Sequence, residues 1–103
     1  MLNNLAQRAY ENAKNKGFHD KPVDFGTRIA LMHSELSEAL EAHRKDLMDD
    51  KLPHRTGVEV ELADCIIRIL DCSALMGFDI QGAVLEKMAY NETREHMHGG
   101  KKY

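Results

Sequence analysis

The chain has 103 residues, with 17 acidic and 14 basic side chains and a formal net charge of −3. That length supports one small domain with a modest core, and mixed charge without a basic excess argues against a nucleic-acid partner. No stretch approaches the roughly 18 apolar residues of a membrane span, so no membrane partner is expected.

The first predicted helix covers about 2–16, with Leu2, Leu5, Ala6, Ala9 and Ala13 along one side and Gly17 as its stop. This segment is amphipathic and of mixed charge, unlike a secretory signal. A loop, GFHDKPV, follows; Asp24 then offers an N-cap for a second helix over about 25–47. The apolar stripe of that helix is Phe25, Ile29, Met32, Leu36, Leu40 and Leu47, close to the 3.6-residue period. After a second loop, DDKLPHRTG, a third helix is expected over 57–76. Its inward residues are Val58, Leu62, Cys65, Ile66, Ile69 and Met76, and Gly77 is its stop. Asp79 is the N-cap expected for a fourth helix over about 80–96, and the tail HGGKKY at 98–103 reads as mobile unless a ligand orders it.

Four amphipathic helices with short connections and no strand-like alternation predict an all-α, four-helix bundle in a single domain over 1–103. Ile67, Leu70 and Leu75 lie off the main stripe of the third helix. A helix apolar on two sides packs against two neighbours, so a homodimer or homotetramer is expected. Cys65 and Cys72 share one helix; at about 1.5 Å per residue their Cα atoms stand roughly 10 Å apart, too far for a disulfide. Reduced core thiols fit a cytoplasmic protein.

Two acidic pairs, Glu35-x-x-Glu38 and Glu61-x-x-Asp64, interrupt the apolar patterns of the second and third helices. Spacing i, i+3 stacks each pair on one side of its helix, and both pairs border the core at nearly the same angular offset. Glu41, Glu59, Asp71 and Glu86 read as solvated. Four carboxylates on adjacent helices repel unless a cation lies between them. Oxygen-only ligation suits Mg²⁺, or Mn²⁺, rather than zinc. On the fourth helix Lys87, Asn91, Arg94 and His98 form one stripe, followed by Lys101 and Lys102. Cations and amide donors in line suit a polyphosphate.

The stretches ALMHSELSEALEAHRK, VELADCIIRILD and EKMAYNETREHMHGGKKY resemble the MazG-like family of all-α nucleoside triphosphate pyrophosphohydrolases. The family's E-x-x-E and E-x-x-D signature falls on Glu35, Glu38, Glu61 and Asp64, and its K-x-x-x-N-x-x-R pattern on Lys87, Asn91 and Arg94. The likeness covers nearly the whole chain, most strongly 17–45 and 57–103. It implies Mg²⁺-dependent hydrolysis between the α and β phosphates of a nucleoside triphosphate, in a homo-oligomer. The four acids would hold metal, with Glu38 also taking the proton of the attacking water. Lys87, Asn91 and Arg94 would bind the phosphates. Apart from the resemblance, Gly99 and Gly100 permit a flap that brings Lys101 over a triphosphate, a frayed terminus being the alternative. Phe18 and His19, in the loop before the acidic helix, are the candidates for contact with the base; Phe18 could equally plug the end of the bundle.

Two other readings fit the same residues. One is a non-catalytic oligomerisation or regulatory module with a structural Mg²⁺ site. The other is a di-iron carboxylate bundle, which calls for Glu-x-x-His on two helices. Glu95-x-x-His98 is the only such spacing.

Overall fold

A computed structural model describes residues 1–94. The predicted tail, with His98, Lys101 and Lys102, lies outside the described residues. The described chain is all-α: α1 (Leu2–Asn15), α2 (Phe25–Arg44), α3 (Gly57–Met76) and α4 (Ile80–Glu92).

The helix starts follow their caps. The Asp24 carboxylate accepts from the backbone N–H of Thr27 at 2.8 Å, and that of Asp79 accepts from Gly82 at 2.9 Å. Thr56 and Glu59 form a reciprocal capping box at the head of α3. Gly77 ends α3 in the left-handed conformation, φ 73°, where a side chain would be strained.

Two helices end earlier than predicted. α2 stops at Arg44 because Asp46 turns left-handed, φ 52°, a conformation that Asp tolerates better than most residues. Leu47 therefore leaves the helix: its N–H bonds Ala42 O at 3.0 Å and its carbonyl accepts from Gly57 N at 2.8 Å. α4 stops at Glu92 rather than near 96. The Thr93 N–H and hydroxyl both turn back to Tyr90 O, so Arg94 sits beyond the helix.

α3 is the central helix, packed between α2 and α1, whereas α4 meets only α1 to any appreciable extent. Asn3 makes that junction, donating to Asp79 Oδ1 at 2.9 Å and accepting from Gln81 N at 3.1 Å. Among the described residues, the four helices therefore form an all-α fold in which α1, α2 and α3 pack together and α4 joins chiefly through α1.

The predicted core stripe of α2 is not its buried face. α2 turns Glu35, Ala39 and Ala42 inward, while Leu36 is 46% and Leu40 60% exposed. On α3 the buried residues are Gly57, Cys65, Leu70, Cys72 and Ser73, and Leu62, Ile66 and Met76 are exposed. Small residues let the helix axes approach closely, so the large side chains are left on the outer faces. The result is an open protomer.

Candidate metal centre and the cavity beside it

α2 and α3 cross with their acidic turns face to face. Glu35, Glu38 and Glu61 each offer a carboxylate oxygen, and these three atoms lie within 4.8 Å of one another. Glu35 is buried, Glu61 half-buried and Glu38 exposed. Asp64, one turn further along α3, stands outside that trio but inside its field. Burial, then the charges of Glu35 and Asp49, push its carboxyl up, while Arg68 opposes them.

Glu61 carries the strongest signature. Burial, and the Glu38 and Glu35 carboxyls set against it, push its pKa up to about 8. Its Oε2 is buried with no hydrogen-bond partner. An orphaned buried acceptor costs about 1–3 kcal/mol, and three crowded carboxylate oxygens are a donor set that suits a divalent cation. The donor set is all oxygen and anionic, so it fits Mg²⁺ or Mn²⁺.

The counter-charge present is Arg68, whose Nε donates to Glu35 Oε1 at 3.0 Å. Arg68 follows Asp64 by one helical turn, and it borders a cavity of about 480 Å³ that adjoins the carboxylates. That volume is within the usual range for a small-molecule site, about 300–1,000 Å³. Glu35, Asp64, Phe18, His19, Arg28 and Asp71 are among the residues that line it.

His19 is held firmly. Its Nε2 lies 2.7 Å from Asp71 Oδ1, and only 9% of its side chain is exposed. Its ring stacks on Tyr10 with centroids 5.3 Å apart, and its Nδ1 is buried without a partner. Asp71, expected to be solvated, is instead the residue that fixes His19. Phe18 lines the cavity while remaining 72% exposed, so it does not plug the end of the helices.

The expected phosphate-binding residues are elsewhere in the protomer. Lys87, Asn91 and Arg94 are exposed, and none lines the cavity. The Lys87 ammonium rests over the Tyr90 ring of its own helix, 4.7 Å from the centroid. Lys101 lies outside the described residues. The structure thus gathers Glu35, Glu38 and Glu61, sets Asp64 beside them, and places Phe18 and His19 on the adjoining cavity.

Four residues of this region carried no sequence reading as site residues. Arg68 had a visible signal, since it continues the line Glu61, Asp64, Arg68 along α3. Asp49 is brought near Asp64 by a tight loop, in which its carboxylate accepts from Lys51 N at 2.9 Å and Leu52 N at 2.7 Å. Asp71 continues the same line one turn beyond Arg68, whereas Arg28 showed no comparable pattern.

Comparison of the chain with protein-family models, curated proteins and solved structures finds no match among any of them.

Proposed function

We propose that the protein is a Mg²⁺-dependent nucleoside triphosphate pyrophosphohydrolase of the MazG-like kind, acting as a homo-oligomer. The observation that carries this reading is the convergence of Glu35, Glu38 and Glu61 around the partnerless Oε2 of Glu61, next to a ligand-sized cavity. Glu35, Glu38, Glu61 and Asp64 would hold the cation. A bound Mg²⁺ supplies Lewis-acid stabilisation of the charge that grows on the phosphates.

The remaining roles belong to side chains. Water attacks the α-phosphorus, the bond from that phosphorus to the α–β bridging oxygen breaks, and pyrophosphate leaves. The water's proton passes to the carboxylate of Glu38, the most exposed of the three converging acids. The cavity would take the nucleoside. Phe18 offers it a ring at the rim, and His19 offers a polar ring that Asp71 and Tyr10 hold in one orientation.

Lys87, Asn91 and Arg94 would serve the carboxylates of a second copy. Two facts support assembly. The outer face of α2 carries exposed Leu36 and Leu40, and α4 carries exposed Leu85 and Met88. Finally, α4 has little packing of its own beyond its junction with α1.

The test is a panel of nucleoside triphosphates incubated with Mg²⁺ and analysed by product. Monophosphate and pyrophosphate are expected. Diphosphate and phosphate would overturn the proposed bond cleavage, and no hydrolysis of any member would leave a cation-binding helical module as the better reading.

A further inference from the structure

Arg68 is tied to the carboxylate centre by one nitrogen only. Its Nε is engaged with Glu35 Oε1 at 3.0 Å. The remaining four N–H donors of a guanidinium are on its two Nη groups, and the side chain, 42% exposed, borders the cavity. Arg28 lines the same cavity. A small cleft of about 30 Å³ opens between Arg28, Arg68 and Asp71, which gives the guanidinium room to turn.

We propose that Arg68 is a phosphate-binding residue of this site and that Glu35 holds it in reserve. While the carboxylates lack a divalent cation, Arg68 is the counter-ion of Glu35; once a cation takes Glu35, Arg68 is released into the cavity and grips a phosphate of the ligand. This rests on the metal reading of the carboxylates given above.

Arg68 and a divalent cation are competing charges at Glu35. A cation bound among Glu35, Glu38 and Glu61 sits next to the oxygen that Arg68 occupies. Two positive groups on one carboxylate repel each other, and the ion that several carboxylates can ligate outcompetes the one held by a single hydrogen bond. Asp64 and Asp71 border the displaced guanidinium as single carboxylates, and a bound phosphate adds a target of higher charge whose two oxygens match its planar fork. Arg28, on the facing helix, would take a second oxygen or hold the ligand's charge from the other side. Metal and phosphate binding are thereby coupled: the ion unlocks the residue that the phosphate needs.

Calorimetry with Mn²⁺ alone, and then with inorganic tripolyphosphate at saturating Mn²⁺, tests this without reference to turnover. Arg68→Gln should bind Mn²⁺ about tenfold more tightly than wild type, because the competing charge is gone. The same variant should bind tripolyphosphate about tenfold more weakly at saturating Mn²⁺. Arg68→Lys, which keeps the charge but loses the planar fork, should stay near wild type for Mn²⁺ and still lose tripolyphosphate affinity. If wild type binds Mn²⁺ and Arg68→Gln binds it equally or more weakly, the reserve role is overturned while the metal reading stands. If wild type binds no Mn²⁺, both fall.

Discussion

The backbone of Gly57 passes so close to Ala42 that a Cβ on residue 57 would stand 2.9 Å from the Ala42 methyl and 3.0 Å from the carbonyl oxygen of Leu47. This contact sets the approach of α2 to α3, and with it the spacing of the carboxylates those helices carry. The Gly57 N–H also donates to Leu47 O at 2.8 Å, so the loop between the helices is clamped at the same point.

Gly57→Ala should therefore destabilise the protein by about 1–3 kcal/mol, since one contact is to backbone and cannot rotate away. Alanine's helix preference over glycine, worth at most about 1 kcal/mol, opposes this and does not reverse it. Urea denaturation gives the value. An unchanged midpoint would mean that the two helices slide apart without cost.

Glu61 makes stability depend on pH and on metal. Folding raises its pKa from the ordinary 4.5 to about 8, so the folded state holds this proton more tightly than the unfolded one. The stabilisation is complete below the lower value and is lost as pH rises through the upper one. Metal-free protein should thus melt at progressively lower temperature between about pH 5 and pH 8. Mg²⁺ should restore the loss at pH 8 by linkage. Glu61→Gln should flatten the metal-free profile and lose the response to Mg²⁺. A wild-type melting temperature that rises with pH in chelator would contradict the crowded-carboxylate geometry.

The pairing of His19 with Asp71 is expected to matter for both fold and ligand. His19→Ala leaves a hole against Tyr10 and an unpartnered carboxylate, at a cost of about 1–3 kcal/mol. Asp71→Asn keeps the volume and a hydrogen-bonding group but loosens the ring. It should raise KM for nucleotide several-fold while Mn²⁺ affinity stays at the wild-type value. A drop in kcat with KM unchanged would place His19 outside ligand binding.

Complementation between copies tests the role of α4. Arg94→Ala should raise KM and lower kcat together, whereas Arg8→Ala, on α1 and away from the carboxylates, should do little. Arg94→Ala and Glu38→Gln protein, each nearly inactive, are then refolded as a mixture. If Arg94 serves a neighbouring copy, random pairing rebuilds about a quarter of the sites. No recovery, with mixed oligomers demonstrated, would mean that Arg94 acts within its own chain or not at all.

The helix starts were legible because each rests on local chemistry: Asp24 and Asp79 cap through their own side chains, and Gly77 ends α3 at a positive φ. The end of α2 was not, because Asp46 takes a left-handed turn without the glycine that usually marks one. The buried face of α2 was misread for a different reason. Leu36 and Leu40 form the stronger stripe, yet α3 packs on Ala39 and Ala42. A helix apolar on two faces does not reveal which face its own chain covers. The convergence of Glu35, Glu38 and Glu61 was legible because matched offsets on neighbouring helices survive folding. The His19–Asp71 contact spans 52 positions and leaves no local trace.

The most direct measurement of the central claim is hydrolysis in ¹⁸O-labelled water with Mg²⁺ and a nucleoside triphosphate, with the products read by mass. Attack of water on the α-phosphorus would place the label in the nucleoside monophosphate and none in pyrophosphate. Glu38→Gln should lose about two orders of magnitude or more in turnover with the helices intact. Label in pyrophosphate, label in inorganic phosphate beside a diphosphate, or undiminished turnover by Glu38→Gln would contradict this mechanism.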